Sequence, residues 1–318
     1  IYIIIYVNNK KRFENIEKFG IIEYITLLRW KNRMPQKDSI KRYENNSINW
    51  YPGHMAAAKR MMQENLNLVD IIIEIRDARI PYSSANPDIE KFNKPRIVLL
   101  NKSDLADIRK TELWIKKFGD DGAVAVASCA KSKGNNIASL VNSALEKKNE
   151  YFKSKGINRN MRALVAGIPN VGKSTLINTV CGQARAKTGD KAGVTRGKQW
   201  IKTQSVDLLD TPGILWPKLD NQTSAAYLAF TGALNDEVLD MEDIAFKLVK
   251  TLTVQYPELL EKRYGVSLCG NTLDDLDAIC KKRGFILRGN ELDYSRCARV
   301  LLDEFRAGTI GKITLEVP

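Results

Sequence analysis

Histidine is almost missing from this chain: His54 is the single one in 318 residues. A histidine-rich metal centre is therefore excluded. The five cysteines, Cys129, Cys181, Cys269, Cys280 and Cys297, form no C-x-x-C pair and are odd in number, which points to a reducing compartment with neither disulfides nor zinc. No apolar run is long enough to span a bilayer. The opening IYIIIYV is far too short, and its charges (NNKKR) follow the apolar run, where a secretory leader carries them before it. The expectation is a cytoplasmic protein, or one of an organellar matrix if the source is eukaryotic, with no membrane partner and a monomeric state.

Acidic residues are also in deficit. The 50 Lys and Arg against 37 Asp and Glu leave a formal charge of +13, which favours a polyanionic partner, nucleic acid first and an anionic membrane second; plain solubility is the bland alternative. A membrane is disfavoured because no basic amphipathic stretch carries a strong aromatic face. Residues 1–47 read as an N-terminal extension, since 31–48 (KNRMPQKDSIKRYENNSI) are polar, contain Pro35 and show no sustained period. The extension is expected to be disordered or upstream-translated, with a natural start at Met34; a genuine helix from Phe13 to Trp30 is the alternative.

From Trp50 onward, apolar runs alternate with helical segments, the pattern of an α/β domain with a mostly parallel sheet. Strands are expected at VDIIIEI (69–75), PRIVLLN (95–101), AVAVAS (123–128), RALVAG (162–167) and SVDLLD (205–210). Helices are expected at RKTELWIKKF (109–118), IASLVNSALEKKNEYFKS (137–154) and KSTLINTVC (173–181). After about residue 218 the pattern turns helical, through 242–256, 272–284 and 294–308, with Pro257, Gly265, Gly270 and Gly284 as breakers. The predicted division is an α/β domain over 48–218 and a small all-helical domain over 219–318.

GIPNVGKST, starting at Gly167, fits G-x-x-x-x-G-K-[ST] with a strand running in and a helix running out. Such a loop wraps phosphates with backbone N–H groups, here over Asn170, Val171, Gly172 and on to Thr175. Lys173 reaches the β and γ oxygens, and the Ser174 hydroxyl holds Mg²⁺. DTPG begins at Asp210, a carboxylate placed as the metal's outer partner, and Gly213 brings its N–H to the γ-phosphate. Between them, GDKAGVTRGKQW (189–200) has the composition of a switch loop, with Thr195 as its hydroxyl for Mg²⁺; a surface hydroxyl is the alternative. NKSD (Asn101, Lys102, Ser103, Asp104) ends a strand, and SCA (Ser128, Cys129, Ala130) follows another. A carboxylate aimed at two adjacent N–H groups favours guanine, because a purine without those donors leaves Asp104 unpaired. The pair resembles the guanine-specificity motifs of Ras-like GTPases, so the expected cofactors are GTP or GDP and Mg²⁺.

The motif order is displaced. In Ras-like GTPases the phosphate loop comes first, whereas here NKSD and SCA precede GIPNVGKS and DTPG. The expected fold is a circularly permuted Ras-like P-loop GTPase domain followed by a small helical domain. The break falls just after DTPG, so movement at Gly213 would pull directly on the helical domain.

Permuted order, WYPGHM (50–55), DARIP (77–81), GIPNVGKS and the closing LDYSRCARVLLDEFRAGTIGKITLE together resemble the YlqF/RbgA family of ribosome-biogenesis GTPases, over residues 48–318. The resemblance implies a GTPase that acts late in assembly of the large (50S) ribosomal subunit and is stimulated by it, with C-terminal helices and basic residues on rRNA. The candidate RNA contacts are Lys281, Lys282, Arg283 and Arg288 beside one helix end, Arg296, Arg299 and Arg306 along the last helix, and Lys59 and Arg60 near the N-terminus; a solvated charged face is the alternative. Ile214 follows DTPG and cannot orient a water, while His54 matches the family histidine to which a catalytic role is attributed; packing or RNA contact is the other reading. Asn170 matches the asparagine that helps hold K⁺ in potassium-activated GTPases, or else shapes the loop. The competing function is a GTP-gated RNA-binding scaffold whose hydrolysis is incidental.

Overall fold

Ile71–Asp77 (IIIEIRD) is buried along its whole length, as a β-branched run is when both faces of a parallel sheet are covered. It is strand β1 of the computed structural model, which describes residues 63–129, 146, 150–156, 159–181, 199–203, 206–211 and 221–318. Expectations for residues 1–47, including the alternative helix from Phe13 to Trp30, lie outside the described residues. The other strands are β2 (Arg96–Asn101), β3 (Val124–Ala127), β4 (Met161–Gly167), β5 (Gln199–Lys202) and β6 (Val206–Asp210). Among the described residues they form one sheet in the order β3-β2-β1-β4-β6-β5. All neighbours are parallel except β5, which runs antiparallel to β6 and pairs Trp200 with Leu209.

Strand β5 corrects the sequence reading, which ended its switch loop at Trp200 and expected no strand there. Four residues (QWIK) beside a Gly- and Lys-rich stretch give too short an alternation to register; pairing with β6 makes the strand. The five expected strands stand within two residues of their predicted limits.

The sheet is covered on both faces. On one, Ile71, Ile73 and Ile75 join Leu99, Val165 and Leu208 in a core that continues into the helices downstream of the sheet. On the other, Val98 and Leu100 pack with Trp114 and Phe118 of α1 (Ile108–Asp120), while Ile72, Leu164 and Leu209 meet Val69 and Ile89. Asp107 caps α1, accepting hydrogen bonds from the backbone N–H groups of Arg109 and Lys110. The phosphate-loop helix α2 (Lys173–Cys181) sends Leu176 and Ile177 into the first core. In the expected helix at 137–154, the described residues 146 and 150–154 are helical.

Downstream lie α3 (Gln222–Phe230), α4 (Met241–Gln255), α5 (Pro257–Tyr264), α6 (Thr272–Arg283) and α7 (Tyr294–Ala307). Two of these, α3 and α5, were not anticipated. The former is apolar almost all round, so it lacks the one-sided period that marks a helix in sequence. Pro257, read as a breaker, stands in the first turn of α5, where its missing N–H costs nothing. The 218/219 division falls within residues 212–220, outside the described residues, and the apolar core runs from Ile75 and Val165 to Phe230, Leu302 and Phe305. No helix among the described residues is long and apolar enough to cross a membrane.

Phe230 is fully buried and meets Phe305 edge-on with ring centroids 6.3 Å apart. Phe230→Ala is expected to cost about 3–5 kcal/mol. Because the core is continuous, calorimetry should show the sheet and helices melting together at a lower temperature, whereas an unshifted sheet transition would contradict a shared core.

Candidate nucleotide site

Parallel strands bring their last residues to one edge. Asp77, Asn101, Gly167 and Asp210 end β1, β2, β4 and β6, and the register sets Asp77 beside Asn101, Ile75 beside Gly167, and Val165 beside Asp210. Ligands bind at this carboxyl edge in open α/β sheets.

The phosphate loop leaves β4 at Gly167, where an added Cβ would stand 2.5 Å from the carbonyl oxygen of Ile75. Glycine is thus required for β1 and β4 to approach. The loop turns through Asn170 at φ 56° and Gly172 at φ 97°, left-handed values that an ordinary side chain disfavours. Lys173 is buried, and its Nζ donates to the carbonyls of Gly167 and Ile168, both at 3.1 Å. Burial pushes its ammonium down to about 8, with the Asp210 charge acting in the opposite sense. Asp210 is itself buried, and Ser174 and Thr175 open the helix half-buried.

The loop after β2 and the phosphate loop are locked to each other. The buried Asn101 donates Nδ2 to the Val171 carbonyl at 2.6 Å, and the same nitrogen would meet a Cβ on Gly172 at 2.3 Å. Ser103 donates its N–H (3.1 Å) and its hydroxyl (3.0 Å) to the Ser128 carbonyl, which ties the loop after β2 to the end of β3. Ser128 and Cys129 are buried, while Asp104 is exposed at the loop's rim. Lys102 takes the left-handed conformation, φ 59° and ψ 31°, and sets Nζ 3.0 Å from Asp77 Oδ2.

Asp77 is the residue that sequence reasoning missed. It appeared only inside DARIP, with no role. In the fold its carboxylate accepts from Arg79 Nε at 2.9 Å, Arg79 Nη2 at 2.8 Å and the Arg79 N–H at 3.0 Å. Burial would raise its pKa, but the charges of Arg79 and Lys102 and these hydrogen bonds overcome that and hold it well below the usual carboxylate range. A single aspartate preceding an arginine by two residues is too common a pattern to single out; the register beside Asn101 is what identifies it.

Asn170 uses its amide on the helical region, donating Nδ2 to the Gly232 carbonyl at 2.7 Å, in the turn after α3. Ala130, Thr195, Gly213, His54, Lys59 and Arg60 lie outside the described residues. Of the basic residues downstream, Lys281, Lys282, Arg283, Arg288, Arg296 and Arg299 are exposed around the α6 to α7 connection. Some also serve the fold: Arg283 pairs with Glu304 at 3.1 Å, and Arg296 lies over Phe285. Arg306, grouped with them by helical spacing, is turned inward instead. It holds Asp236 at 2.6 Å and donates to the carbonyls of Phe230 and Ala229, because the turn after α3 closes over the end of α7.

Residues 162–265 match the family model described as a 50S ribosome-binding GTPase. The chain is 45% identical over 281 residues to ribosome biogenesis GTPase A of Priestia megaterium, covering 86% of this chain and 97% of that one. It is 32% identical to mitochondrial ribosome-associated GTPase 1 of Bos taurus, over 84% and 88% of the two chains. Among solved structures, a GNP-bound YlqF from Thermotoga maritima superposes with a TM-score of 0.58 at 27% identity, covering 82% of this chain and 98% of that one.

Two outcomes follow from this geometry. Gly172→Ala should fold yet lose GDP binding, since a methyl group would displace Asn101 and strain the turn; unchanged GDP affinity by fluorescence titration would contradict the lock. Lys173 should make nucleotide affinity pH-dependent with a definite sign. Phosphate charge favours the protonated amine, so affinity is flat below about 8, to which burial pushes the free amine down. Above it, affinity should weaken by up to about tenfold per pH unit. Titrations from pH 7 to pH 9 check this, corrected at the alkaline end for loss of the guanine N1 proton.

Proposed function

The chain belongs to the ribosome biogenesis GTPase family and is a GTP-hydrolysing enzyme; on that premise we propose that it acts late in maturation of the large ribosomal subunit and is stimulated by that subunit. The observation that carries the proposal is the joint between the phosphate loop and the helical region. Asn170 bonds the Gly232 carbonyl, Arg306 holds the same turn through the carbonyls of Phe230 and Ala229, and α7 continues to exposed Arg296 and Arg299. A change at the phosphates is thereby linked to a basic surface suited to rRNA.

In this reading 48–218 is the GTPase domain and 219–318 the RNA-facing domain, the protein is a cytoplasmic monomer, and GTP and GDP are its nucleotides. Lys59 and Arg60 join Lys281, Lys282, Arg283, Arg296 and Arg299 on rRNA. Asp104 reads the guanine N–H groups, with Lys102, Ser103, Ser128, Cys129 and Ala130 shaping the base pocket. Asn101 ties that pocket to the phosphate loop. The backbone of Val171 through Thr175 and Gly213 cradles the phosphates.

The donor set fits Mg²⁺: a hydroxyl at Ser174 opening α2 and a buried carboxylate at Asp210 are hard oxygen donors, joined by Thr195. The ion would neutralise charge developing on the phosphoryl oxygens. Lys173, once drawn from the carbonyls of Gly167 and Ile168 to the phosphates, adds a fixed positive charge there. A K⁺ beside Asn170 would take the amide oxygen as ligand, the nitrogen of that amide being engaged with Gly232. His54 positions the attacking water, a task the apolar Ile214 cannot perform.

The test is steady-state GTP hydrolysis in KCl with and without purified large subunits. Stimulation in the wild type and its loss in His54→Ala, with subunit binding retained, is the expected result. Stimulation retained in His54→Ala would remove the histidine from the chemistry, and no stimulation at all would favour the GTP-gated RNA scaffold.

A further inference from the structure

Residues 308–318 follow the last helix and carry no role so far. They return to the nucleotide edge of the sheet. Gly308 (φ 76°) caps α7, and a Cβ there would lie 2.7 Å from Leu105 Cδ2, so the segment starts in contact with the base-reading loop. Ile313 then donates its N–H to the Leu105 carbonyl at 3.0 Å, one residue past Asp104. Thr314 is fully buried and sits at the crossing of two loops. Its hydroxyl accepts from the Asp107 N–H at 3.1 Å and donates to the Ala78 carbonyl at 3.1 Å. Its carbonyl accepts from Lys110 Nζ and Tyr256 Oη, both at 2.8 Å. Leu315 donates its N–H to the Arg79 carbonyl at 2.8 Å, and the Glu316 carboxylate takes the N–H groups of Tyr82 and Ser83.

The segment therefore binds the loop that presents Asp104 at two points on its C-terminal side, Leu105 and Asp107. It also binds the carbonyls of Ala78 and Arg79, next to Asp77, the ion-pair partner of Lys102. We propose that the C-terminal segment 308–316 is a positioning element for guanine recognition, with Thr314 as the residue that fixes the base-reading loop against the 77–84 loop. Its side chain reaches no nucleotide; it sets where Asp104 and Lys102 stand. The inference rests on the reading of Asp104 as the guanine acceptor.

A surface strap that merely adds stability would weaken every nucleotide equally. A strap that places Asp104 would change discrimination at the base, and inosine diphosphate provides the probe, since it lacks the 2-amino group of guanine and keeps everything else. The experiment measures the affinities of GDP and IDP for full-length wild type, Thr314→Val, Thr314→Ser and Lys110→Met. Wild type should prefer GDP. Thr314→Val, which keeps shape and loses the hydroxyl, should reduce the GDP-to-IDP preference by at least about fivefold, the size of one hydrogen bond. Thr314→Ser should restore it. Lys110→Met, an external change that removes one support of the Thr314 carbonyl, should reduce it in the same direction and serves if Thr314→Val fails to fold. A preserved preference in the folded variants would overturn the strap while leaving the Asp104 reading intact. A wild type indifferent between GDP and IDP would overturn both.

Discussion

The nucleotide edge depends on one buried carboxylate. Asp77 ends the central strand β1 beside Asn101, sits 1% exposed, and is held ionised by the cations of Arg79 and Lys102. A buried carboxylate without such partners is costly, and a pair broken on one side leaves a charge in low dielectric. Lys102 belongs to the base-reading loop. The guanidinium of Arg79 lies 5.4 Å from the Phe305 ring centroid, and its backbone carbonyl receives the C-terminal segment. One charge cluster thus ties the base loop, the central strand and the last helix.

Around it the site is built from mutual constraints between loops. Asn101 locks the base loop to the phosphate loop through the Val171 carbonyl, and Asn170 ties the phosphate loop to the turn after α3. The circular permutation gives these contacts their consequence. Because β1 and β2 precede the phosphate loop in the chain, the last residues of the chain are left to follow the helical region, and they cross the edge of the sheet at Leu105 and Arg79. The phosphate loop and the loop after β2 are thus both in contact with residues downstream of the sheet.

Much of this was legible in the sequence. Five strands and the phosphate loop with its helix were readable because buried β-branched runs and a Gly-Lys-Ser loop are local patterns. Strand β5 was not, since an edge strand of four residues is made by its partner. Helix α3 was hidden by its lack of a polar face, and α5 by reading Pro257 as an end when it is a beginning. Asp77 and Thr314 were invisible as site residues because their meaning lies in what they meet across the fold: Thr314 bonds Ala78, 236 residues earlier. Arg306 shows the converse, a charge at surface spacing that tertiary packing turned inward.

The most direct measurement is a double-mutant cycle on Asp77→Asn and Lys102→Met, read as GDP affinity with unfolding followed alongside. If the carboxylate holds the base-reading loop through Lys102, the two changes are non-additive in GDP affinity, with a coupling on the order of 1–3 kcal/mol. Losses that add to within about 0.5 kcal/mol would contradict it and reduce Asp77 to a residue of the fold alone.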